Sequence, residues 1–154
     1  MAWTDGYGDV LSAVRDAFPG LLSRAVSLLA VGKAPRQPQN HALASYFTAR
    51  REGDEWIDWR DSSLYIYDKI RAITAPGPGA RARMAGERIT LWRARYETAW
   101  PAYIATPGEV VGREDGGIRV KTGDSTILLT EIESTKISFP IGARFELAAG
   151  PTCR

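Results

Sequence analysis

The residues of this chain with chemistry to offer are one histidine, a few carboxylates beside tryptophan, arginines that come in pairs, and two glycine-rich turns. Nucleophilic catalysis by serine needs a histidine held by a carboxylate. His41 stands in Gln39-Asn40-His41-Ala42 with no Gly-x-Ser-x-Gly elbow anywhere in the chain, and a structural histidine is the plainer reading. Asp58 and Asp61 flank Trp59, where two carboxylates can share acid and base roles, but Asp61 also stands where a helix N-cap is expected. Gly77-Pro78-Gly79 and Gly116-Gly117 are too short and too proline-bound to cradle a phosphate, and read as turns. The single cysteine, Cys153, and the single histidine cannot build a zinc site of the usual kinds. Spacing alone therefore names no reaction, and no catalytic or metal-ligating residue is assigned.

Three zones would have to position these residues. In the first, Asp9 is the expected N-cap of a helix whose face carries Val10, Val14, Ala17 and Phe18. Pro19-Gly20 is expected to break it. A second helix is then expected from Leu21 to Val31, with Leu21, Leu22, Val26, Leu28 and Leu29 on one stripe and Gly32 ending it. In the second zone, Pro35 and Pro38 force an extended path that leads through Tyr46-Phe47 to Trp59. The third zone opens with a helix capped by Asp61 or Ser62, buried along Ile66, Ile70 and Ile73, and stopped by Pro76. Beyond Gly79 the period changes to alternation. Strands are expected over Ala80–Met84 and Arg88–Tyr96, turning at Ala85-Gly86. Glu109–Arg113 and Ile118–Thr122 follow across Asp115-Gly116-Gly117, then Thr126–Ile132. Ile137–Leu147 is expected as a last strand bent at Pro140 and Gly142. Short strands joined by tight glycine turns predict a small β-barrel.

Bulk composition narrows the classes. With 154 residues, 44% hydrophobic and 25% charged, one globular domain is expected. A net charge of +2 falls well short of the basic stripe of a dedicated nucleic-acid binder, so nucleic acid is not an expected partner. No apolar run reaches membrane-helix length, so no membrane partner is expected, and the lone cysteine fits a cytoplasmic setting. The chain also enters its first helix with almost no lead-in, as if begun midway.

One ordered set of residues carries more. Tyr46-Phe47, Arg50-Arg51 and Ile57-Asp58-Trp59 are followed by Ile70-Arg71-Ala72, Pro76-Gly77-Pro78-Gly79-Ala80 and Gly86. Pro107-Gly108-Glu109-Val110 and Val120-Lys121-Thr122-Gly123-Asp124 complete it. In order and spacing the set resembles the C-terminal half of formyltetrahydrofolate-dependent N-formyltransferases, from about Asp5 to about Ile132. The resemblance implies an α+β chain in three parts. Residues 1–33 would be the closing helices of a Rossmann-like catalytic domain, 34–59 a linker, and 60–154 a helix plus an OB-like C-terminal barrel.

It further implies formyl transfer from 10-formyltetrahydrofolate to a primary amine. The catalytic asparagine, histidine and aspartate would lie in a domain this chain lacks, because no His-Pro-Ser-Leu-Leu-Pro-like run occurs here and His41 falls in the linker. The chain alone is expected to be inactive. Tyr46, Arg50 and Arg51 match the region where the family builds part of its acceptor pocket, and a stacking ring with two guanidinium groups suits a phosphate-bearing ligand. The alternative is that Tyr46 packs the linker while the arginines pair with Glu52 or Asp54.

Ala44-Ser45-Tyr46-Phe47 with Arg50-Arg51, and Pro76-Gly77-Pro78-Gly79-Ala80, look closer to the branch acting on nucleotide-linked amino sugars, or to the formylation domains of peptide-assembly enzymes, than to the transfer-RNA branch. The stretch from Ser134 to Arg154 departs from the transfer-RNA pattern. Two other readings stay open: a non-catalytic OB-like binding or assembly module, and the tRNA-binding domain of a methionyl-tRNA formyltransferase. The wide stripe of the first zone leads to an expected homo-oligomer.

Overall fold

The computed structural model describes residues 2–134 and 138–147. Helix α1 spans Tyr7–Ala30 and runs straight through Pro19 as one helix of 24 residues, not the expected two. A proline removes one ladder donor, but its fixed φ is one a helix already uses, so the turns on either side keep their own bonds. The N-cap is Gly6, and Asp9 sits three residues inside, where its Oδ2 accepts the Gly6 N–H at 2.9 Å. The C-terminal end follows expectation. Gly32 adopts φ 68°, its N–H donates to the Leu29 carbonyl and the Lys33 N–H donates to the Leu28 carbonyl, which closes a Schellman motif.

Among the described residues, α1 is anchored chiefly through the short segment that leads into it. The Trp3 and Tyr67 rings stack with centroids 6.2 Å apart, the Arg71 guanidinium lies 5.6 Å from the Trp3 ring, and Arg71 Nη1 donates to the Asp5 carbonyl. No residue of α1 is buried; Phe18, Leu21 and Leu29 keep 58%, 64% and 62% of their surface. Within residues 2–50 only Gly6 is buried.

The folded body begins near Glu55. Helix α2 spans Ser63–Ile73, its N-cap hydroxyl on Ser62 accepting the Tyr65 N–H at 3.2 Å. Ile66 and Ile70 are buried as expected, and Ile73 packs against the same core. Five antiparallel strands follow: β1 Ala80–Met84, β2 Glu87–Arg95, β3 Val110–Glu114, β4 Gly117–Lys121 and β5 Thr126–Glu133. The two tight hairpins turn on Ala85-Gly86 and Asp115-Gly116, all four with positive φ, the turn whose twist matches paired strands. Spatial order is β1-β2-β5-β4-β3, and a register shift around Arg93 bends β2 against β5. α2 covers one face of the sheet with Trp59, Ile57 and Phe145, which pack on Leu91, Val110, Val120, Ile127 and Leu129. The architecture is a small α+β domain.

The expected barrel is not closed by strand pairing, since β1 and β3 are both edges. Nor is Ile137–Leu147 a strand: its first residue lies outside the described ones, and within 138–147 only one isolated bridge forms, Glu109 with Arg144. Pro140 has no N–H to give and Gly142 turns the chain at φ 87°, so a regular ladder cannot propagate. This segment instead spans the gap with single bonds. Val110 N–H donates to Ala143, Phe145 N–H to Gly108, and Glu146 N–H to Arg83 on β1.

Candidate functional site

Asn40 caps a single 3-10 turn, His41–Leu43, by accepting the Ala42 N–H at 3.1 Å. His41 is exposed there and forms no ion pair with a described carboxylate. The chain then runs without regular structure to Arg51, and Tyr46 and Phe47 each keep 90% of their surface. Arg51 N–H donates to Asp54 Oδ2 at 2.6 Å and Gly53 takes φ 102°, which turns the chain toward the core. The side chains of Arg50 and Arg51 form no ion pair with a described residue. Pairing with Glu52 or Asp54 is therefore not what holds them; the Asp54 carboxylate is occupied by backbone.

The nearest buried charge is Glu55, which holds Arg81 Nη1 at 2.5 Å. Burial works to raise its carboxyl, but backbone hydrogen bonds and the charges of Arg81 and Arg50 outweigh that and hold it below the usual range. Tyr46, Arg50 and Arg51 thus lie on one exposed segment that the described residues do not enclose. A shallow cavity of about 560 Å³ elsewhere is lined by Arg113, Glu114, Asp115, Ile118, Leu129 and Phe139, and includes none of the three.

The two carboxylates around Trp59 do structural work. Asp58 is forked by Arg60 Nε at 2.9 Å and Nη2 at 2.6 Å, and that hydrogen bonding holds its pKa down. Burial raises Asp61, whose backbone carbonyl accepts the Gly123 N–H at 2.8 Å, while Ser62 does the capping. Lys69, depressed by burial, donates to the Trp56 carbonyl at 2.7 Å. No group of three metal-ligating side chains exists among the described residues.

The run Val120-Lys121-Thr122-Gly123-Asp124 is a clamp and not a catalytic motif. Asp124 Oδ1 accepts from the Ser63 backbone at 2.8 Å, the Ser63 hydroxyl at 2.8 Å and the Ser125 N–H at 2.7 Å. Buried Ser63 and Thr122 join hydroxyls at 2.6 Å behind it. The β4–β5 turn therefore caps α2. Burial raises the Asp124 carboxyl, yet the hydrogen bonds from Ser63 and Ser125 prevail and bring it to about 2. Because the folded value lies below the unfolded one of roughly 3.9, this stability is present above the unfolded pKa and is lost as pH falls through the folded one. Urea midpoints from about pH 6 to about pH 2 should show wild type well above Asp124→Asn at the upper end, with the gap shrinking toward the lower end. A gap constant across that range would refute the assignment.

Besides Arg71 over Trp3 and Tyr67, the sequence did not announce the cation–π stacks of Arg83 over Trp56 at 4.9 Å and Arg119 over Trp100 at 4.0 Å. Both join residues that are neighbours only after folding, so no local spacing announces them.

The sequence is 34% identical over 128 residues to the methionyl-tRNA formyltransferase of Moorella thermoacetica, covering 82% of this chain and 40% of that protein. Against the methionyl-tRNA formyltransferase of Carboxydothermus hydrogenoformans it is 31% identical, with the same coverage of each. The chain thus spans less than half the length of these curated relatives. Its fold superposes on HypX from Aquifex aeolicus, solved in complex with tetrahydrofolic acid, with a TM-score of 0.51 over 75% of this chain and 20% of that one, at 22% identity. No helix among the described residues is long and apolar enough to cross a membrane. Residues 51–140, more than half the chain and the part that begins where burial begins, match the formyl transferase C-terminal domain, and the chain belongs to that family.

Proposed function

We propose that this chain is the C-terminal part of an N-formyltransferase that passes a formyl group from 10-formyltetrahydrofolate to a primary amine on a nucleotide-linked sugar. Residues 1–33 would close the catalytic domain, 34–59 link it, and 60–154 form the OB-like unit, with the asparagine, histidine and aspartate of the chemistry on a catalytic domain not contained here. The observation that carries the acceptor is the segment Tyr46 to Arg51. An aromatic ring with 90% of its surface free precedes two guanidinium groups that form no ion pair with a described residue, which suits a base and its phosphates. A second reading, a transfer-RNA acceptor, is favoured by the names of the two curated relatives.

One experiment separates them. In the complete enzyme, Arg50→Ala with Arg51→Ala should raise KM for a nucleotide-linked amino sugar about tenfold at nearly unchanged kcat, as expected when charge-assisted contacts made equally in ground and transition states are lost. An unchanged KM for the sugar nucleotide would leave only packing at these positions. Formylation of methionyl-tRNA alone would move the assignment to the second reading.

The bare face of α1 has a consequence for assembly. In the complete enzyme the catalytic domain would cover Leu21, Val26 and Leu29; in the isolated chain a second copy would do so. A few hundred square ångströms at roughly 25 cal/mol per Å² supply several kcal/mol before association entropy is subtracted. Sedimentation should find the isolated chain self-associated and the variant Leu21→Gln with Leu29→Gln monomeric. A monomeric parent chain would refute this.

A further inference from the structure

Most arginines on the sheet hold a carboxylate. Arg81 holds Glu55, Arg93 holds Glu131, Arg95 holds Asp115 and Arg119 holds Glu114, while Arg113 donates to the Phe139 carbonyl. Arg83 and Arg88 are different. They face each other directly across the β1–β2 hairpin, both are exposed, and neither forms an ion pair with a described residue. Like charges opposed across strands destabilise a sheet, and a nearby acid would ordinarily relieve them. The acids at hand are turned elsewhere. Glu87 pairs with Met84 and so lies on the other strand face, and Glu146 Oε1 accepts the Gly86 N–H at 2.7 Å. Arg83 is moreover held in place, its guanidinium 4.9 Å from the centre of the half-exposed Trp56 ring.

We propose that Arg83 and Arg88, with Arg83 oriented by Trp56, form a binding platform for the phosphates of a nucleoside diphosphate. The chemistry is direct. Two guanidinium groups on one strand face offer fork-shaped donors to adjacent phosphate oxygens, and the bound dianion relieves their mutual repulsion. The ring that steadies Arg83 also gives a planar base a cation–π stack to extend. This site lies outside the segment from Tyr46 to Arg51. Naming the ligand a nucleotide rests on the proposed acceptor class; the anion site itself does not.

The test is a titration of the isotope-labelled chain with uridine diphosphate, followed by NMR, with the Trp56 indole signal identified by its loss in Trp56→Phe. Saturable shifts are expected at that indole and at the backbone amides of Arg83 and Arg88. Arg83→Gln and Arg88→Gln should each weaken binding about tenfold, the cost of one charge-assisted contact. Arg95→Gln, whose guanidinium is already paired, should leave the affinity unchanged. Inorganic pyrophosphate should compete and uridine should not. Absence of a saturable shift, equal shifts from sodium chloride at matched ionic strength, or equal weakening in Arg95→Gln would each overturn the site. Formyl transfer that persists in the complete enzyme while uridine diphosphate fails to bind here would overturn this site and leave the proposed reaction standing.

Discussion

Supplied with 10-formyltetrahydrofolate and an amine acceptor, the purified 154-residue chain should release tetrahydrofolate no faster than a protein-free blank. Formyl transfer needs donors for the tetrahedral oxyanion and a base for the amine proton. Oxyanion donors are worth roughly 10²–10³ each and a placed base roughly 10²–10⁴. The only histidine, His41, sits exposed on a 3-10 turn. Asp58 is neutralised by Arg60, and Asp124 is saturated by the hydroxyl and backbone donors at the start of α2. The assay is decisive if contaminating activity is controlled. Turnover that co-elutes with the chain and vanishes in His41→Ala would show that the chain carries a working site after all.

The largest stability loss should come from Gly123→Ala. A Cβ at this position would overlap the Arg60 carbonyl oxygen and come within 2.9 Å of that of Asp61, both rigid backbone atoms. The Gly123 N–H also donates to Asp61 at 2.8 Å, so the β4–β5 turn cannot retreat without giving up the contact that caps α2. Overpacking against backbone costs about 3 kcal/mol, a large share of a small domain's stability. Chemical denaturation should show a drop of that size for Gly123→Ala. Gly112→Ala is the control, because its Cβ would meet only the Arg119 side chain at an ordinary 3.8 Å. Equal stability of the two variants would show that the turn and helix are not locked together as described.

Local signals were legible wherever a few adjacent residues decide the geometry. Ala85-Gly86 and Asp115-Gly116 announce their hairpins because a two-residue turn demands positive φ at both positions. Ser62, the isoleucines at 66 and 70, and Pro76 bound α2, since a cap, a period and a missing donor all act within one turn. Gly32 ends α1 for the same reason. Even the family was readable, in motifs whose order survives without any coordinates. Pro19 departs from expectation for a local reason, since no residue of α1 is buried and the helix carries on through a φ it already uses. The tertiary structure decided the rest. Whether the tail beyond Pro140 becomes a strand depends on two distant edges, β1 and β3, that it must bridge at once. Asp124 stood in the sequence only as part of a motif, and folding brought it to Ser63, 61 positions away in the chain. The hairpin at Ala85-Gly86 already sets Arg83 opposite Arg88, but that Trp56 orients Arg83 and that Glu146 is taken up by Gly86 follow only from the packing of distant segments. Sequence determines what a residue does to its neighbours along the chain; which charges are answered and which stay open is settled only when distant segments meet.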